Sequence, residues 1–243
     1  NLLDQVWEAA VPVMHAEAEM YKKMLKEDGG DWEFDAADWR YYAEKVRKEK
    51  YDLDEEEIKQ YFEIHNVKEG IFKVSENLFG IKFNQIHNVP VYHEDVEVYE
   101  VTDEQNNHVA ILYMDYHPRA SKRGGAWMSS FREQYVKDGE FVHPIVTINC
   151  NFTPAGETQP SLLTWDETTT FFHEFGHALH GMLSKCKYPS TSGTNVPRDF
   201  VELPSQVMEH WAAEPEVLKM YAKHYETEEI IPFGKEHESF EEH

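Results

Sequence analysis

Phe171-Phe172-His173-Glu174-Phe175-Gly176-His177-Ala178-Leu179-His180 carries two histidines four residues apart, with a glutamate directly after the first. Four residues make about one helical turn, so on a helix His173 and His177 share a face. Two neutral imidazoles placed this way can hold one zinc ion. Glu174 lies one step round from His173, close to a water beside such an ion without being a ligand. A carboxylate there is placed to act as general base on that water.

The flanking residues make the helix explicit. Thr164-Trp165-Asp166-Glu167 has the capping-box pattern, so Thr164 caps a helix that begins at Trp165. From there to Ser184 the chain has no proline and only two glycines, Gly176 and Gly181. Phe171, Phe172, Phe175, Ala178, Leu179, Met182 and Leu183 make most of the circumference apolar, which predicts a buried helix. Two histidines and a glutamate on a buried helix need partners, and a metal supplies them.

A catalytic zinc site takes a third protein ligand. One class places a His six residues after the second His, with Gly midway; here those positions are Leu183 and His180, so that class is excluded. The alternative is a carboxylate on a following helix. In Asp199-Phe200-Val201-Glu202-Leu203-Pro204-Ser205-Gln206-Val207-Met208-Glu209-His210-Trp211, the side chains of Glu202, Gln206 and Glu209 share one helical face. Spacing leaves both Glu202 and Glu209 open; Glu202 is favoured because the loop delivers it first. Asp199 and Glu209 are candidates for acceptors that orient the ligand imidazoles.

His173 to Met182, then Tyr188-Pro189-Ser190, Ser192-Gly193-Thr194 and Arg198-Asp199-Phe200-Val201-Glu202-Leu203-Pro204-Ser205-Gln206, resemble the thimet oligopeptidase family of zinc metallopeptidases, and within it the bacterial peptidyl-dipeptidase (dipeptidyl carboxypeptidase) branch. The likeness is dense over residues 144–212 and looser over 1–143. It implies His173, His177 and Glu202 as ligands of one zinc ion and Glu174 as general base. It also implies a zincin-like, neurolysin-like catalytic core. The family continues past this point through a Gly- and Tyr-rich loop whose Tyr and His side chains assist catalysis. Residues 233–243 do not match the family's next helix. The resemblance therefore implies that residues 1–243 are part of a single metallopeptidase catalytic domain with its C-terminal part absent. Within it, 1–90 are mostly helical, 91–151 hold a small sheet and 164–225 the zinc-binding helices.

Composition narrows the classes further. Hydrophobic residues at 41%, aromatics at 14%, suffice for a core in 243 residues. The net charge of −23 predicts a solvated acidic surface, with an acidic channel for basic peptides as the sharper alternative. No basic patch exists to neutralise phosphates, which argues against nucleic acid as a partner. Cys150 and Cys186 make no disulfide framework, and Cys186 reads as a small packing residue. No run of about 18 apolar residues predicts a membrane span. No secretory leader is legible, so the expected location is cytoplasmic, with a periplasmic one as the alternative. Oligomeric state is not legible.

Along the chain, Leu2 to Lys26 reads as a helix that Pro12 kinks or restarts, ended by Asp28-Gly29-Gly30. Asp35 or Asp38 caps a second helix through Trp39, Tyr42 and Val46 toward Lys50. Asp54 caps a short acidic helix. Asn66 caps another through Ile71, Val74 and Leu78, closed by Gly80. The period then changes: Val96, Val98 and Val109 to Met114 read as strands about the turn Asp103 to Asn107, and Pro144 to Asn149 as another. The fold class is mainly α with a small β-sheet (α+β). Strands 109–115 and 145–149 are the candidates for an exposed edge that takes an extended peptide.

The expected function is hydrolysis of short peptides, with release of C-terminal dipeptides as the resemblance implies. The alternatives are an endo-acting oligopeptidase of the same family, or a fragment that binds zinc and peptide without turnover.

Overall fold

The structure, a computed structural model, describes residues 1–51 and 55–232. By their internal contacts these form two units, 1–51 and 55–232. In the first, α1 (Leu2–Glu27) begins at a capping box formed by Asn1 and Asp4 and is one helix with Pro12 inside it, so of the kink or restart expected there the restart does not occur. Helix α2 (Trp39–Tyr51) follows directly after Asp38. The Asp38 carboxylate accepts from the Asp35 N–H and the Trp32 indole N–H. Tyr21, Met24 and Leu25 of α1 pack with Tyr42 and Val46 of α2. The apolar residues Leu2, Leu3, Val6, Trp7 and Val13 are exposed.

The second unit opens with α3 (Glu55–Ile58); its expected cap, Asp54, lies outside the described residues. Helix α4 (Ile64–Phe79) is capped by Glu63, whose side chain accepts from the Asn66 N–H. Asn66 is therefore three residues inside the helix and is not its cap. A glutamate carboxylate reaches the same amide that a shorter cap would satisfy. Gly80 closes α4 in the left-handed region at φ 65°.

A mixed sheet follows, in the order β1-β2-β3-β7-β4. Its strands are β1 (Ile81–Gln85), β2 (Glu97–Asp103), β3 (His108–Asp115), β4 (Trp127–Arg132) and β7 (Ile145–Asn149). Strand β3 runs parallel to β7, and the other pairs are antiparallel. A hairpin of β5 (Tyr135–Lys137) and β6 (Glu140–Val142) stands apart. The expected edges, 109–115 and 145–149, are both internal: Ile111 to Asp115 pair with Ile145 to Asn149, and each strand has a second neighbour. The edges are β1 and β4. The burial of Val146 through Asn149 agrees with an interior position, since a strand flanked and covered on both sides reads as a continuous run.

Helix α5 (Trp165–Met182) packs on β7 and β4 and against α6 (Leu203–Ala213); α7 (Pro215–Tyr221) packs on α4 and α6. The α5 aromatics supply the core: Phe171, Phe172 and Phe175 are fully buried. Phe175 lies 5.8 Å from Phe72 of α4 and 5.6 Å from Phe83 of β1, ring centre to ring centre. The face of α5 that carries His173 and His177 is turned from this aromatic core toward α6 and the residue before it, Glu202.

Candidate metal centre

Thr164 accepts from the Glu167 N–H at 3.1 Å while the Glu167 carboxylate accepts from the Thr164 N–H at 2.9 Å. This capping box sets the register of α5, so His173, Glu174 and His177 come to one side. On the facing element, Glu202 occupies the residue before α6, and Pro204 sits in the first helical turn, where its missing N–H costs nothing. Between the helices, Gly176 passes against backbone: a Cβ built on it would stand 2.5 Å from Ser205 Cα and 2.6 Å from Pro204 O. Only glycine allows α5 this close to the start of α6.

That approach brings three donors together. Glu202 Oε2 lies 3.1 Å from His177 Nε2 and 3.3 Å from His173 Nε2. One ligand atom from each of the three residues falls within 4.8 Å of the others. A tetrahedral zinc with bonds of about 2.0–2.1 Å separates its ligand atoms by about 3.3–3.4 Å. The donor set fits such an ion.

The hydrogen-bond chemistry agrees. His173 Nδ1 is bonded to Glu209 Oε1. A carboxylate only accepts, so Nδ1 carries a proton, and in the neutral imidazole Nε2 presents a lone pair toward the lone pairs of Glu202. Facing lone pairs at 3.3 Å repel unless a cation lies between them. Glu209 thus approaches the opposite nitrogen of His173 from the one Glu202 faces, which separates the two glutamates that spacing left open. Asp199 is exposed and makes no hydrogen bond to either histidine. His177 Nδ1 is buried without a partner.

Glu174 is buried beside this group at 7% exposure, and its Oε2 has no partner. Burial pushes its carboxyl above the usual carboxylate range, against the pull of His173; the Glu202 charge adds to the rise, and a hydrogen bond from the Met128 backbone opposes it. Burial holds the His177 imidazole below its ordinary value, and the neighbouring His173 lowers it further. The neutral imidazole favoured in this way is the form that binds metals.

The group opens into a cleft of about 420 Å³, whose walls include Trp127 and Met128 of β4 together with Thr194 and Val201. Trp127 and Met128 are not singled out in the sequence, and Thr194 and Val201 lie in stretches that carry the family resemblance but have no role assigned there. Met128 carries no local motif and reaches the cleft through strand pairing, whereas Thr194 reaches it through a loop.

The family model described as Peptidase family M3 matches residues 1–240. The chain is 42% identical to dipeptidyl carboxypeptidase of Escherichia coli (strain K12), over 96% of this chain and 34% of the relative. It is 45% identical to dipeptidyl carboxypeptidase of Salmonella typhimurium, over 90% and 32%, and 38% identical to oligopeptidase A of Escherichia coli, over 96% and 34%. The chain spans about a third of the length of these relatives. No helix among the described residues is long and apolar enough to cross a membrane. With a family match across nearly its whole length and a His/His/Glu group where two helices meet, this chain belongs to peptidase family M3.

Proposed function

We propose that this chain forms the zinc-binding part of a metallopeptidase that hydrolyses oligopeptides, releasing C-terminal dipeptides. The observation that carries the reading is the convergence of His173, His177 and Glu202 beside a buried, unpartnered Glu174. In this reading His173 and His177 offer Nε2, and Glu202 a carboxylate oxygen, to one zinc ion. Zinc bound there would polarise the peptide carbonyl and lower the pKa of a water toward about 7.

Glu174 then takes a proton from the attacking water and delivers one to the leaving amine. A carboxyl raised by burial suits both acts, because its proton affinity moves toward that of its partners. Glu209 holds His173 in one tautomer and one orientation. Strand β4 is a sheet edge that borders the cleft, so its backbone groups are available to an extended peptide. The fold is in this view a zincin-like, neurolysin-like core, with residues 1–243 part of a single catalytic domain. A cytoplasmic location belongs to the same proposal, and cell fractionation tests it.

The relatives named dipeptidyl carboxypeptidase support dipeptide release, whereas those named oligopeptidase A support internal cleavage. The test is elemental analysis of the purified protein, followed by mass spectrometry of the products from an unblocked oligopeptide and from its C-terminally amidated form. One zinc per chain, with dipeptides released only from the free C-terminus, is the expected result. Internal cleavage of both peptides would favour the endo-acting alternative, and absence of zinc would overturn the reading.

A further inference from the structure

Gln134 lies in the link between β4 and β5 and has no part in the metal group, yet it is a fully buried polar side chain. Its carboxamide joins segments distant in sequence. Oε1 accepts from the Cys186 N–H at 2.6 Å, and Nε2 donates to the Cys186 carbonyl at 2.9 Å. On its other side, Ser192 Oγ lies 3.4 Å from Gln134 Oε1 and 3.1 Å from Ser184 Oγ. The Gly193 N–H donates to the same Ser184 oxygen at 3.0 Å. Val136 N–H extends the contact to the Lys187 carbonyl at 3.1 Å.

These bonds hold the chain that leaves α5 in one place. Ser192 is fully buried, and Gly193 lies against α5: a Cβ built on it would stand 3.2 Å from Gly181 Cα. Its φ of +54° is a second reason for glycine there. A buried carboxamide left unpaired is costly, so other loop positions are disfavoured by the bonds they would break. The residue after Gly193 is Thr194, which lines the metal cleft together with Trp127 and Met128. Among the described residues the Thr194 hydroxyl makes no hydrogen bond within the protein.

We infer that Gln134 is a positioning residue for substrate: it fixes the loop Ser192–Thr194 so that the Thr194 hydroxyl meets a bound peptide in the cleft beside the β4 edge. The inference rests on the peptidase reading above. It assigns Gln134 no contact with the reacting atoms; its effect passes through Thr194.

The test is a double-mutant cycle on the zinc-loaded protein, comparing wild type, Gln134→Met, Thr194→Val and the double variant. Zinc content, thermal midpoint, kcat and KM for an oligopeptide are measured for each. Zinc content is expected to stay at the wild-type level. KM should rise about tenfold in each single variant and no further in the double, because both changes remove the same contact. A KM unchanged in a folded, zinc-loaded Gln134→Met protein, or effects that multiply in the double variant, would overturn the assignment. Should Gln134→Met fail to fold, Ser192→Ala takes its place in the cycle, with the same expected and overturning results. If the wild type turns over no peptide, the peptidase reading fails. Affinity for a fluorescent oligopeptide, measured on the same proteins, then decides the Gln134 assignment separately.

Discussion

The α carbon of Gly176 lies so close to Ser205 that a methyl group on it would stand 2.5 Å from Ser205 Cα. Because the obstructing atoms are backbone, they cannot rotate aside. The contact sets the separation of α5 from α6, and that separation sets the 3.1 and 3.3 Å distances between Glu202 and the two histidines. Gly176→Leu is therefore expected to destabilise the protein by roughly 1–3 kcal/mol through overpacking and to weaken metal binding as well. Thermal unfolding with and without zinc measures both. A neutral substitution would show that the two helices can move apart freely.

Glu202 and Glu209 are expected to separate in their effect on metal. Glu202→Ala removes one of the three proposed ligands and should leave the purified protein with little zinc. Glu209→Ala removes the acceptor behind His173 and should keep zinc with affinity lower by about 10- to 100-fold. Competition with a zinc chelator measures the two. The reverse order of effects would assign the third ligand to Glu209.

Glu174→Gln preserves shape while deleting the proposed proton acceptor. Zinc content and thermal midpoint should match the wild type, and kcat should fall by roughly 10²- to 10⁴-fold. Peptide turnover within about threefold of wild type would remove Glu174 from the role of general base.

Asp115 offers a pH prediction. It ends β3 at 1% side-chain exposure; Arg119 binds it through two hydrogen bonds at 2.9 and 2.8 Å, and Lys122 through one at 2.9 Å. Burial pushes its carboxyl up, but the bonds and charges of Arg119 and Lys122 outweigh burial and hold it below the usual range. A carboxyl lowered on folding stabilises the protein fully above its unfolded pKa, near about 4, and loses that contribution as pH falls through the lower folded value. Chemical denaturation from pH 6 to pH 2 should therefore show a loss of stability below about pH 4 that is smaller in Asp115→Asn. That variant should also be less stable at pH 7 by about 3 kcal/mol, since it leaves buried cations without a counter-charge. Equal acid sensitivity of the two proteins would place the titration elsewhere.

Asp115 also shows what a sequence conceals. Its partners lie within seven residues, yet the ion pair depends on the burial of β3, which follows from strand order. Strand pairing is settled by contacts between segments far apart in the chain, and so β3 and β7, both good strands in sequence, could not be told from edges. Strand β4 went unread because Ser129 and Ser130 interrupt its apolar pattern, although it is the sheet edge that borders the cleft. Gln134 has no local signature either: its partners Cys186 and Ser192 lie 52 and 58 residues away.

Where the interacting groups sit within one helical turn, the chain is legible. Thr164 and Glu167 close their capping box three residues apart, and His173 and His177 meet across four, so the start of α5 and the two imidazoles follow from local geometry alone. The same local logic misjudged the cap of α4 by choosing Asn66, whose own N–H is the amide that the Glu63 carboxylate caps. The choice of Glu202 over Glu209 was of another kind, since helical spacing puts both on one face. The packing of Gly176 on Ser205 carries Glu202 to the Nε2 side of the histidines and leaves Glu209 to Nδ1 of His173, an arrangement that supports Glu202. Short-range hydrogen bonding fixes what each helix presents, and close packing between helices fixes which of the presented groups meet.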